Sequence, residues 1–108
     1  MKGQAHKDSA LVRLDLNAPT FQAQFFALEK NDIQAIVSTL RKIAQMTWEQ
    51  VYRDKGLRWE LLHSYHAPTR GEKRYSLRVG KSFRAIAFGD EAWLRVLTLH
   101  PDHDSAYE

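Results

Sequence analysis

The last ten residues, LHPDHDSAYE (99–108), place His100, Asp102, His103, Asp104, Tyr107 and Glu108 directly after an apolar run. Histidine takes and returns protons near neutral pH, and a neighbouring carboxylate fixes its tautomer. Tyrosine donates a hydrogen bond or stacks on a nucleobase. His103 is therefore the leading proton-transfer candidate, with Asp102 or Asp104 to orient it and Tyr107 to position a substrate or donate a proton. His100 is the reserve candidate, and a structural role at a strand end fits it equally well. Pro101 stops a regular strand, so residues 102–107 are expected to fold back over a sheet face as one wall of a site.

The complementary chemistry is cationic. Residues 53–84 hold nine Lys/Arg against three acids, a local excess of +6, whereas residues 90–108 carry one Arg and five acids. A concentrated positive field suits a polyanion such as nucleic acid, which sheds counterions on binding. A solvated surface face presents the same charge run. Within this stretch Arg78 and Arg84 are the candidate phosphate ligands, since two guanidiniums on neighbouring strands can hold one phosphate by forked hydrogen bonds. Lys55, Arg58, Lys73, Arg74 and Lys81 are the candidate contacts to a nucleic-acid backbone. A histidine set beside such guanidiniums is pushed toward its neutral form, fit to act as a base.

Other chemistries find less support. His100-Pro101-Asp102-His103 has a metal-like spacing, but it does not lie on a helix. His63 and His66 are brought to it only by the fold, so no metal and no cofactor are expected. The chain has no cysteine, which excludes disulfides, thiolate ligands and a thiol nucleophile. No glycine-rich phosphate loop or nucleophile elbow is present.

These groups need elements to position them. The 108 residues suffice for one domain with one core, and residues 1–9 read as a loose arm. No apolar run is long enough to span a bilayer and MKGQAHKDSA is too polar for a signal peptide, so a cytoplasmic location is the default. ALVRLDLN (10–17) alternates as a half-buried strand. Asn17 as N-cap and Pro19 in the first turn predict a helix over TFQAQFFALEK (20–30). Asn31 and Asp32 end it and cap a second helix, whose stripe is Ile33, Ile36, Val37, Leu40 and Ile43. Thr47 with Gln50 has capping-box spacing, so TWEQVYRD (47–54) is a short third helix, with Gly56 at its C′ position.

The period then becomes two. Strands are predicted at LRWELLHS (57–64), YSLRVG (75–80), FRAIAF (83–88) and EAWLRVLTL (91–99), with HAPTRGEKR (66–74) as a loop. Tight turns are expected at Gly80–Ser82 and Gly89–Asp90. Short turns between successive strands force antiparallel pairing. The order predicts an α+β fold, with helices on one face of an antiparallel sheet and the other face partly open. Alternation puts Arg78 and Arg84 on that open face.

A helical hairpin, then RYSLRVGKSFRAIAF (74–88), then a strand running into HPDHDSAY (100–107), resembles the RelE/ParE superfamily of bacterial toxin–antitoxin toxins over roughly residues 10–108. The resemblance implies a cognate antitoxin partner and a concave face on the meander side. In the RelE-like branch that face cleaves messenger RNA, usually on the ribosome, by metal-independent attack of a 2′-hydroxyl on the adjacent phosphate. Arg78 and Arg84 match basic positions on the two central strands, and Tyr107 matches the C-terminal tyrosine of several members. His103 falls where members place a basic or histidine residue. Ser76 and Pro101 depart from the pattern, each standing where some members carry a basic residue, and Lys73, Arg74 or Lys81 are the candidates to supply that charge. The ParE-like branch shares the fold but poisons DNA gyrase, and a degenerate member would retain only antitoxin binding. The His/Tyr-rich C-terminus favours the nuclease branch, because a gyrase binder needs no proton-transfer groups.

Overall fold

The computed structural model describes residues 10–63 and 73–101. These form β1 (Arg13–Asp15), α1 (Pro19–Phe26), α2 (Lys30–Ile43), α3 (Trp48–Arg53), β2 (Glu60–Leu61), β3 (Tyr75–Arg78), β4 (Phe83–Asp90) and β5 (Trp93–Pro101). The strands make one sheet in the order β1-β5-β4-β3-β2. The predicted α+β architecture is present, with the helices on one face. Every neighbouring pair is antiparallel except β1, which lies parallel to β5. The helices carry the chain from β1 to β2 at the opposite edge of the sheet, and the meander then returns to set β5 beside β1, a pairing no hairpin could make. No helix among the described residues is long and apolar enough to cross a membrane.

The core lies between sheet and helices. Ile36, Leu40 and Ile43 of α2 meet Leu77, Ala85, Ala87, Leu94, Val96 and Leu99 of the sheet, with Phe21 from α1 and Val51 from α3. Val37, expected on the α2 stripe, lies at its solvent flank and is 39% exposed. Thr47 and Gln50 exchange the two hydrogen bonds of a capping box at the start of α3. At α1, Pro19 takes the first turn as predicted, but Ala18 holds the cap position and no side chain caps it. Asn17 instead donates its backbone N–H to Asp15 Oδ1 at 3.0 Å. Helix α2 begins at Lys30, so Asn31 and Asp32 fall in its first turn, where the Asp32 charge suits the helix dipole.

Two boundaries move for identifiable reasons. The strand predicted over 57–64 shortens to Glu60–Leu61. Asp54 Oδ1 accepts the Leu57 N–H at 2.9 Å and Arg58 turns to φ +50°, so the chain is still in a turn there. The turn predicted at Gly89–Asp90 falls instead after Asp90, with Glu91 at φ +57°. Gly89 stays in β4 because the Trp48 ring packs on its Cα, and a Cβ there would come within 3.1 Å of the indole.

One irregularity decides what faces outward. Ile86 pairs with Thr98 and Ala87 with Val96, which leaves Leu97 as an extra residue in β5. Leu94 and Val96 point into the core before this bulge, and Leu99 does so after it. Unbroken alternation from Leu94 would have sent Thr98 and His100 inward. The bulge turns both to the helix-free face.

Candidate functional site

The helix-free face is an ordered lattice of side chains. Arg78, Arg84 and His100 are direct cross-strand partners on β3, β4 and β5 and form one row. At the usual strand spacing this row spans about 10 Å. The adjacent row runs from Glu60 through Ser76 and Ile86 to Thr98. The face assignment made from sequence for Arg78 and Arg84 therefore holds, and His100 joins them.

Arg84 is held in place. Its side chain is only 16% exposed. One terminal nitrogen, Nη2, donates to Ser76 Oγ at 2.6 Å and approaches Glu60 Oε1 at 3.4 Å. Glu60 is half-exposed and also lies 3.5 Å from Arg58 Nη2. A guanidinium so fixed has lost its rotamer freedom before any ligand arrives, which lowers the entropic cost of binding an anion. The Glu60 carboxylate is the anion it touches in the meantime. His100 is exposed, with its Nε2 2.8 Å from Thr98 Oγ1, so the hydroxyl orients the ring.

The predicted backbone contacts distribute unevenly. Lys55, Lys73 and Lys81 are exposed, and Arg58 keeps half of its side chain in solvent. Arg74 is 5% exposed and lies with its guanidinium 4.6 Å from the centre of the Phe88 ring. It packs onto the helix-free face through Phe88 and does not lie on the loop surface expected of it. Arg78 and Lys81 also border a groove of about 590 Å³ beside α2, which Lys42 and Gly80 help to line. Lys42 there is 2.9 Å from Asp54 Oδ2. That pairing, with the Leu57 N–H, holds the Asp54 carboxyl below its ordinary value despite partial burial.

His103 and Tyr107, the leading proton-transfer and positioning candidates, lie outside the described residues, as do Asp102, Asp104 and His66. Among the described residues no cluster of His, Asp or Glu could hold a metal ion. Glu60 was not singled out from sequence. Its place next to Arg84 depends on the β2–β3 register, and nothing in LRWELL announces that register.

No protein-family model matches the chain, and no curated protein matches it by sequence. Among solved structures, a chain of the archaeal RelE–RelB complex from Pyrococcus horikoshii OT3 is similar in fold. The TM-score is 0.58 at 20% identity, over 85% of this chain and 96% of that one.

Proposed function

We propose that this chain is the toxin of a toxin–antitoxin pair and acts as a metal-independent endoribonuclease on messenger RNA. The observation that carries the proposal is the row Arg78–Arg84–His100 on the helix-free face, with Arg84 fixed by Ser76. The RelE fold supports it, and the complex in which that neighbour was solved supports an antitoxin partner.

The chemistry follows from the groups. A scissile phosphate seated on Arg84 and Arg78 displaces Glu60 as the anion on Arg84. A base removes the proton of the adjacent 2′-hydroxyl, whose oxygen forms a bond to phosphorus. The bond to the 5′-oxygen breaks, and an acid protonates that leaving oxygen. The products are a 2′,3′-cyclic phosphate and a 5′-hydroxyl, and no water or metal is consumed. The guanidiniums stabilise the charge that grows on the phosphorane, where preorganised donors are most effective. His103 is assigned as the base, with His100 as its alternative in the same row. Tyr107 positions the nucleotide, and Lys55, Arg58, Lys73 and Lys81 hold the flanking backbone.

The test is induction in cells, with and without the neighbouring gene, followed by mapping of RNA ends. New 5′-hydroxyl ends in messages, relieved by the co-expressed antitoxin and absent with Arg84→Ala, are expected. Growth arrest with intact messages would overturn the nuclease assignment and leave gyrase as the target class.

A further inference from the structure

The far end of the same face carries a second constellation, built differently. Arg13, Trp93 and Asp90 are cross-strand partners in one row on β1, β5 and β4, and Asp15, Arg95 and Phe88 form the next. Trp93 is 37% exposed. The Arg13 guanidinium lies 6.0 Å from its ring centre and that of Arg95 lies 5.6 Å away. The other two tryptophans are engaged on the helix side of the sheet. Trp48 donates its indole N–H to the Glu91 carbonyl at 2.8 Å, and Trp59 stacks on Tyr75 with ring centres 4.6 Å apart. Neither makes up the open face.

We infer that Trp93 is a stacking platform for an unpaired nucleobase of the RNA whose phosphate sits on Arg84; this rests on the nuclease proposal above. A phosphate is disfavoured at this end, because Asp15 and Asp90 stand beside the ring and already hold Arg95. A neutral base is not repelled, and any base offers a π-face to an indole. Arg13 and Arg95 already lie beside the ring, with Arg95 held by its two carboxylates, so a base would stack on the part of the indole that stays exposed. Arg13, on the outer strand and exposed, is placed to meet the backbone beside the stacked base. From Arg84 to Asp90, the partner of Trp93, β4 runs about 20 Å. A single strand thus reaches Trp93 only when it extends several nucleotides past the scissile phosphate.

The experiment is equilibrium binding of fluorescein-labelled 2′-O-methyl oligouridylates of increasing length, which lack the attacking hydroxyl and so are not consumed. For the parent protein, affinity should step up once the oligomer is long enough to span to Trp93. Trp93→Leu should lose that step, roughly 5- to 100-fold, while Trp93→Phe keeps most of it. Short oligomers bind parent and Trp93→Leu alike, which shows that the variant is folded. Long oligomers should also quench the parent's tryptophan emission more than short ones do, a measurement that needs no variant. An undiminished step in Trp93→Leu, or equal quenching by long and short oligomers, overturns the stacking inference and leaves the nuclease proposal standing. If the parent binds no oligomer of any length, the nuclease proposal fails and this inference with it.

Discussion

Arginine stands at both ends of the helix-free face, and the two ends use it differently. Arg95 is bound by Asp15 on one side and by Asp90 at 3.1 Å on the other, so its charge is matched twice over and ties β1 to the β4–β5 hairpin. Among the described residues Arg84 has a neutral serine at 2.6 Å and a single half-exposed carboxylate at 3.4 Å, with Arg78 and His100 as its strand partners. One guanidinium is saturated and the other is poised. Burial does not separate them, since both side chains are partly covered; what separates them is the number of carboxylates within reach. An arginine's neighbours, more than its exposure, tell whether it holds the protein together or waits for an anion.

The largest effects are expected at the poised end. Arg84→Ala should lower single-turnover cleavage of a ribosome-bound message by about 10²–10³ without unfolding the protein. Arg84→Lys should bind RNA and cleave slowly, because it keeps the charge and loses the fork. His103→Ala should cost roughly 10²–10⁴, and His100→Ala measured beside it decides which histidine carries the proton. Full activity in Arg84→Ala would erase the distinction between the two ends.

A smaller effect is expected from the group that holds Arg84. Ser76→Ala removes a hydrogen bond to a charged partner, typically worth about 1.5–3 kcal/mol. If the serine acts through Arg84, a drop on the order of tenfold in cleavage should appear at temperatures where the variant is fully folded, and Ser76→Thr should recover part of it. A large loss of stability with unchanged cleavage would make Ser76 a packing residue only.

The smallest effect belongs to the saturated end. Asp15 is held below its ordinary pKa, first by the Asn17 backbone N–H and then by Arg95. A depressed carboxylate stabilises the fold above its unfolded pKa of about 3.9 and loses that contribution as pH falls through the lower folded value. Asp15→Asn should therefore destabilise the protein by about 1 kcal/mol at neutral pH. In denaturant titrations the gap from the parent should close as the pH drops below about 4. Cleavage of a short message by Asp15→Asn should match the parent. A gap that persisted at low pH would mean that packing, and not charge, ties β1 to β5.

Much of this was legible in the chain itself. The Ile36–Leu40–Ile43 stripe, the Thr47–Gln50 box and the alternation of YSLR and FRAIAF each follow from local spacing, and together they give the layers and the face of Arg78 and Arg84. What could not be read depends on partners distant in sequence. The parallel seat of β1 and the β2 register that brings Glu60 to Arg84 are set by pairing across tens of residues. Gly89 looks like a turn residue until Trp48, over forty positions earlier, is seen to need the space of its missing side chain. His100 was read from its chemistry, but its face was not, because WLRVLTLH shows no mark of the bulge at Leu97.

That bulge sets a rule of inheritance for the face. Which side of the sheet His100 occupies is fixed by the seating of Val96 and Leu99 in the core, with Leu97 absorbed between them as the extra residue. Substitutions at Leu97 leave that placement intact. Loss of that one codon would remove the bulge and leave simple alternation, with Leu99 still inward and Thr98 and His100 still on the helix-free face. A lineage carrying this fold can thus gain or lose the bulge residue without moving His100 to the other side of the sheet.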